Sequence, residues 1–398
     1  MTSLALGNDI APVNAPRVHT AARPRARVLT SRFAVEEIAE QWLDLESRCD
    51  GAVFFQSLAW TRAIYDFEAA RHNRGFTPVI ATLWLGNSLL AILPLERIKT
   101  PTRRVLSPIG QAYAQYADML LAHGQDPQKA LSCLLSAAAG EAPAEGVSFL
   151  KVRAGSALER GLPASSVRTG SEMGAPYVTL SGHADFDSYH KTIKSKTRKN
   201  MRNARNRLER DGPLEHQVSS GGPSIRGVIE RTVSGRAARL RSQGLTSRAF
   251  ADGSFAKFCD GIVSQPDIEL LAGSLRHLGE PIAEQWGFVH NRRYYAFVAS
   301  RDFAHSEESP GKLHLEEMLR ACKARDLVGA DLMVPVMPYK LTWATETVPV
   351  HDYAVPLNWR GRIAITVWDR ALRPWLKSRV LAMPKGLRGI LLGSRGAS

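Results

Sequence analysis

The sequence predicts a mixed α/β (α+β) fold in two halves, each a mixed β-sheet flanked by helices. Three observations point there. The chain has 398 residues, a length for which two domains are the default. Stretches with strand alternation and stretches with helical spacing follow one another throughout, rather than separating into all-α and all-β blocks. Both halves also show a loosely similar order of helices, hairpin, helix and strand. A hydrophobic share of 44% and a charged share of 23% are those of an ordinary globular protein with a sizeable core.

Residues 1–29 are rich in Ala, Pro and Arg and read as a disordered basic segment. The first domain is placed at 30–165. Residues 33–48 form an amphipathic helix with Ile38, Trp42 and Leu45 on one face. Phe54, Phe55, Gln56 and Ser57 lead into a second helix carrying Trp60, Ile64 and Phe67. Residues 78–85, a Gly86-Asn87 turn and residues 89–95 read as a hairpin. An Ala/Leu-rich helix over 128–139 and a short strand over 147–152 complete this half.

A Gly/Ser/Pro-rich connection over 161–174 leads to a second domain at 175–357. Residues 186–210 read as one long helix, followed by helices at 225–241 and 255–264 and a strand at 268–278. Next come two strands. Ile282, Glu284, Trp286 and Phe288 alternate along the first, and residues 294–299 form the second. The polar stretch 290–293 between them is short enough for a hairpin. Ser309 and Pro310 look like a capping hydroxyl and an N1 proline, opening a helix with Leu315, Met318, Leu319 and Cys322 as its stripe. A buried strand over 330–336 follows. From residue 360 to 398 the chain is a basic amphipathic tail, with Trp368, Leu372, Trp375, Leu376 and Val380 among Arg370, Arg373, Lys377 and Arg379.

Composition narrows the function classes. Cys49, Cys133, Cys259 and Cys322 have no paired spacing, which argues against zinc ribbons and disulfide frameworks. No metal is expected. No run of ~20 apolar residues is available to span a membrane. The N-terminus lacks a signal-peptide core, so a cytoplasmic location is expected. A formal charge of +14 points to acidic partners: a phosphorylated cofactor, anionic lipid, nucleic acid or an acidic polymer. The alternative is a merely basic, soluble surface.

Five features could carry chemistry. Pro310, Gly311, Lys312 and Leu313 open a helix after a bend. Amides there would face outward at the positive end of the helix dipole, and Lys312 adds a cation, which suits a pyrophosphate such as that of coenzyme A. A plain turn is the alternative. The Tyr339 phenol could protonate a departing thiolate, and Lys340 could bind a phosphate or position a carboxylate. Packing of Tyr339 on the core, with Lys340 reaching outward, is the other reading. Glu284 in its strand, with Asp302 beyond the next, could accept the proton of an attacking amine, or could be a satisfied polar residue of the sheet. His314 and Cys322 are read as packing or surface groups. Arg198, Lys199, Arg202 and Arg205 belong to a helix whose core stripe is Ile193, Thr197, Met201, Ala204 and Leu208. Only Glu209 offsets its cations, so an anionic partner is expected, with a solvated face as the alternative. Aromatic interleaving of the single-strand-binding kind is absent, which speaks against nucleic acid. The tail suits an anionic membrane surface, or packs on the domain.

The ordered set FFQSLAW, LLAILPLERI, TRKNMRNARNRLERDG, IAEQWGF, SPGKLHLEEML and PYKLTW resembles the CelD-like, BioF2-type branch of the GNAT acyltransferases. That branch is related to the FemABX peptidyltransferases, which have two GNAT-like domains. The resemblance implies two tandem GNAT-like domains. It also implies an N-acyltransferase using acetyl-CoA or another acyl-CoA, acting on an amine of an amino sugar or similar precursor in exopolysaccharide or cellulose synthesis. It carries the cofactor role to Pro310, Gly311, Lys312 and Leu313, and places Tyr339 and Lys340 near the reacting end. Two departures stand out. Only Gly311 remains of the usual glycine-rich phosphate loop, and Asp331 is followed by LMVPVMP without the family's glycine. A FemABX-like use of aminoacyl-tRNA, and a non-catalytic scaffold for a polysaccharide synthase, are the rival readings.

Overall fold

The computed structural model describes residues 23–49, 51–99, 103–242, 253–301, 309–365 and 367. The first half runs β1 (Arg25–Leu29), α1 (Arg32–Glu36), α2 (Ala39–Arg48), α3 (Leu58–Ala70), β2 (Pro78–Leu85), β3 (Ser88–Lys99), β4 (Arg104–Pro108), β5 (Leu120–Leu121), α4 (Pro127–Glu141), β6 (Gly146–Arg153) and α5 (Ala157–Gly161). The second half begins with β7 (Val167–Thr179), α6 (Phe186–Thr192), α7 (Ser195–Asp211), β8 (Leu214–Ser219), α8 (Gly222–Ser242) and α9 (Ser254–Val263). It continues through β9 (Glu269–His277), β10 (Glu280–His290), β11 (Arg293–Arg301), α10 (Pro310–Ala324), β12 (Gly329–Asp331), α11 (Pro338–Leu341), β13 (Glu346–Pro356) and α12 (Trp359–Ala364).

These elements give a mixed α/β fold with one large sheet flanked by helices. Its order is β1-β2-β3-β4-β6-β13-β7-β12-β11-β10-β9-β8, with β5 beside β3. Strand β13 comes last in the chain and lies in the middle of the sheet, antiparallel to β6 of the first half and to β7. The sequence pattern of 346–356 was not read as a strand, yet this strand joins the two halves.

Three apolar clusters fill the layers. One lies between the halves: Trp42, Phe54, Phe55 and Trp60 meet Phe258, Trp286 and Phe288. Phe54 stacks on Phe288 at 4.1 Å between centroids. The second packs α4 on the first half's sheet, and the third packs α7 and α10 on the second half's. The predicted stripe of α7 holds for Met201, Ala204 and Leu208, which are buried.

Several elements differ from expectation. Residues 25–29, read as part of a disordered segment, form β1 and pair with β2. The helix expected over 186–210 is two, because Ile193 and Lys194 leave the helical region, with ψ of 139° and 132°. The connection over 161–174 is shorter than expected, since β7 starts at Val167. The 290–293 hairpin turns on Asn291 and Arg292, both at positive φ, the geometry of a type I′ turn. Ser309 does not cap α10 through its hydroxyl; it sits at φ 52° as the left-handed residue before Pro310. The strand expected over 330–336 stops at Asp331. The tail beyond residue 367, and Asp302, lie outside the described residues.

Candidate functional site

The early end of β12 creates the site. Strands β11 and β12 run parallel over three residue pairs only, Arg293–Gly329, Tyr294–Ala330 and Tyr295–Asp331. Beyond that, β11 continues to Arg301 with β10 as its one strand partner among the described residues, while residues 332–337 leave the sheet. Asp331 makes the stop. Its Oδ1 accepts the Met333 amide at 2.8 Å and so caps the departing chain. The same oxygen accepts the Tyr116 hydroxyl at 2.8 Å, and Arg153 lies 3.2 Å from Oδ2. Both partners come from the first half, so the split is anchored across the junction.

A β-bulge shapes the other wall. The β10–β11 register shifts between Trp286 and Gly287. A Cβ at Gly287 would sit 1.9 Å from the Tyr295 carbonyl oxygen, so only glycine permits this approach.

A cavity of about 180 Å³ lies in the split. Ala296, Phe297 and Ala299 of β11 line it, with Leu332, Val334 and Pro335 opposite. Leu315 of α10, Gln285 of β10, Gln115 of the first half, and Arg236 and Arg239 of α8 contribute, as do Tyr339 and Lys340 of α11. Among the described residues, no aspartate or glutamate lines the cavity.

Two expected site residues therefore come together here. Burial raises the Tyr339 phenol above its usual range, with Arg236, Arg239 and Arg301 pulling the other way, so it stays protonated. Lys340 donates from Nζ to the Met333 carbonyl at 2.8 Å and the Pro335 carbonyl at 3.1 Å. Burial, helped by Arg236, pushes it down to about 8. Lys151 is similarly lowered to about 8 by burial. Its Nζ donates to the Ala114 carbonyl and to Gln115 Oε1 at 3.1 and 3.2 Å, placing Gln115 at the cavity wall.

Glu284 is not in this group. It points to the face beneath α8, where Arg231 donates to Oε2 at 2.9 Å and to Oε1 at 2.7 Å. A bidentate partner already holds the carboxylate, which is the geometry of the satisfied sheet residue and not of an open base.

At the start of α10, Pro310 and Leu313 are buried while Gly311 and Lys312 are half-buried. The amides of Lys312 and Leu313 both turn back to the Ser309 carbonyl, at 2.9 and 3.4 Å, leaving the Gly311 amide out of that arrangement. Of the α7 cations, Arg205 is paired with Glu317 at 2.5 Å, Arg198 is half-buried, and Lys199 and Arg202 are exposed. None of the four lines the cavity. His314 and Cys322 are buried in the core under α10. Among the described residues no group of three or more His, Cys, Asp or Glu could hold a metal, and no helix is long and apolar enough to cross a membrane.

Arg236 and Arg239 line the cavity without a sequence motif to single them out. They fall in a stretch read only as a helix, although RTVSGRAARLR carries four arginines and no acid. That imbalance is the signal that was available.

The chain thus joins two α/β halves through one sheet, with strands that part around a cavity. Residues 195–341 match the family model described as "Acetyltransferase (GNAT) domain". Among solved structures, the chain is similar to FemX, with a TM-score of 0.58 and 10% identity over 86% of this chain and 99% of that one. A tandem GNAT protein from the clavulanic acid biosynthesis pathway aligns at TM-score 0.45 and 12% identity, over 83% of this chain and 98% of that one. A GCN5-related N-acetyltransferase from Sphaerobacter thermophilus aligns at TM-score 0.39 and 12% identity, over 83% and 96%. No curated protein matches the sequence.

Proposed function

We propose that the chain transfers an acyl group from a coenzyme A thioester to an amine, and that the split between β11 and β12 is where the transfer takes place. The observation that carries this reading is the cavity in that split, with a protonated phenol and a lysine held near neutrality on its wall. Among the described residues the β11 edge from Ala296 onward has no strand partner on the cavity side, so its main chain can bind an extended pantetheine arm as an added strand. The donor's diphosphate is assigned to the start of α10, with Gly311 and Lys312.

In the reaction the amine nitrogen attacks the thioester carbon, a C–N bond forms and the C–S bond breaks. The amine proton goes to Lys340. Neutral Lys340 has two N–H groups for its two carbonyl acceptors and keeps a lone pair for that proton. Tyr339 gives its proton to the departing sulfur. An amino sugar or similar precursor, in exopolysaccharide synthesis, is the proposed acceptor class. The exposed Lys199 and Arg202 support a second reading, in which the donor is an aminoacyl-tRNA.

Calorimetry with coenzyme A and acetyl-CoA tests the proposal. Binding that is weakened by a bulky side chain at Gly311 supports it. No heat with either ligand, together with salt-sensitive tRNA binding, favours the second donor. Binding of neither leaves a scaffold.

A further inference from the structure

The cavity draws on both faces of the sheet. Arg236 and Arg239 come from α8, whose Ile225, Val228 and Val233 pack in the cluster of Trp286 and Phe288. Leu315 comes from α10, on the opposite face. A donor seated along α10 therefore leaves the α8 side to the second substrate. Resting on the acyl-transfer reading, we propose that Arg236 and Arg239 form an oxyanion subsite, so that the amine being acylated carries a carboxylate or a phosphate group.

The pairing pattern along α8 is the main argument. Arg226 is paired with Asp260, and Arg231 with Glu284. Both lie away from the cavity. Arg236 and Arg239, which line it, have no ion pair or hydrogen bond among the described residues. They are three positions apart and so share a helix face. Lys340 lines the same cavity, and among the described residues no carboxylate lines it.

Such a cluster is costly without an anion. Arg236 feels burial and the neighbouring Arg239, both of which lower its pKa, and it in turn lowers Lys340 and Lys151. A bound oxyanion offsets the positive charge of the two guanidinium groups and Lys340 on the cavity lining. Guanidinium groups also present the planar fork that matches carboxylate and phosphate oxygens. Gln115 adds a donor from the first half, since its Oε1 is taken by Lys151 and its NH₂ remains.

The test is calorimetry on the full chain, with inorganic phosphate and acetate titrated separately, before and after saturation with coenzyme A. One of the two oxyanions is expected to bind in both conditions; which one tells a phosphorylated acceptor from a carboxylated one. In R236Q/R239Q its affinity falls by at least about tenfold, while coenzyme A binding is kept. Binding of neither oxyanion overturns the proposal. So does displacement of the oxyanion by coenzyme A with loss of coenzyme A binding in the variant, because the arginines then serve the donor. If wild type binds an oxyanion that the variant loses, but never binds coenzyme A, the acyl-CoA reading fails and the oxyanion subsite stands.

Discussion

The hydroxyl of Tyr116 donates to Asp331 Oδ1 at 2.8 Å, across the junction between the halves and at the residue where β12 ends. Asp331 is fully buried and also holds the Met333 amide and faces Arg153. One carboxylate thus fixes both the junction and the opening of the split. Asp331→Ala leaves the Arg153 charge and two donors unmatched in the interior. It should cost about 3–5 kcal/mol in urea unfolding. Tyr116→Phe removes one hydrogen bond and should cost only about 1–2 kcal/mol. Equal losses for the two variants would mean that the Arg153 pair contributes little.

If the chain transfers acyl groups as proposed, Lys340 should give the reaction its pH dependence. A base works only when deprotonated, and burial has moved this amine from the ordinary 10.5 to about 8. Turnover should therefore rise with pH through about 8 and level off above it. Lys340→Arg keeps a donor for the two carbonyls but does not titrate in this range, so the rising limb should vanish along with most of the activity. The sign for stability follows from the same shift. The unfolded chain binds the proton more readily between about 8 and 10.5, so the burial cost is present below about 8 and lifted as pH climbs toward 10.5. A limb that persists in Lys340→Arg assigns the base elsewhere.

Glu284 separates two roles that its sequence position leaves open. Its carboxylate is 4% exposed and its partner Arg231 46%, so the pair is closed on the strand side and wet on the other. Glu284→Gln keeps the shape and one acceptor oxygen. It should cost about 1–3 kcal/mol in unfolding and leave turnover close to wild type. A collapse in turnover with stability retained would restore Glu284 as the base.

The contrast between Glu284 and Lys340 shows what the sequence made legible. Alternation along 282–288 correctly placed Glu284 on one face with Trp286 and Phe288, because a strand's period is local. What that face meets is set by α8, more than forty residues away, and no local pattern announces Arg231. The hairpin at Asn291 and Arg292 and the α7 stripe were readable for the same local reason. Strand β13 was not, because its place is decided by β6 and β7, which are remote in sequence. The split was hidden too: LMVPVMP is apolar enough to pass for a buried strand, and the stop depends on Asp331 turning back to the Met333 amide.

Two glycines should behave in opposite ways, and the difference bears on which wall of the cavity is rigid. Gly287 lies against backbone: an added Cβ meets the Tyr295 carbonyl oxygen at 1.9 Å and its carbon at 2.8 Å. Neither can move without opening the β10–β11 hairpin. Gly287→Ala should cost about 1–3 kcal/mol and widen the β11 wall, so donor affinity falls beyond what unfolding explains. At Gly311 an added Cβ meets only Arg301 Cδ at 3.8 Å, an ordinary contact, and the helix gains a better former. Gly311→Ala should therefore fold at least as well as wild type. If the start of α10 holds the donor's diphosphate, Gly311→Glu should still fold and lose donor affinity, since the new carboxylate meets the phosphates at the site assigned to them. Unfolding curves and coenzyme A titrations of the three variants decide the matter. Undiminished coenzyme A binding in Gly311→Glu would move the donor's diphosphate away from α10.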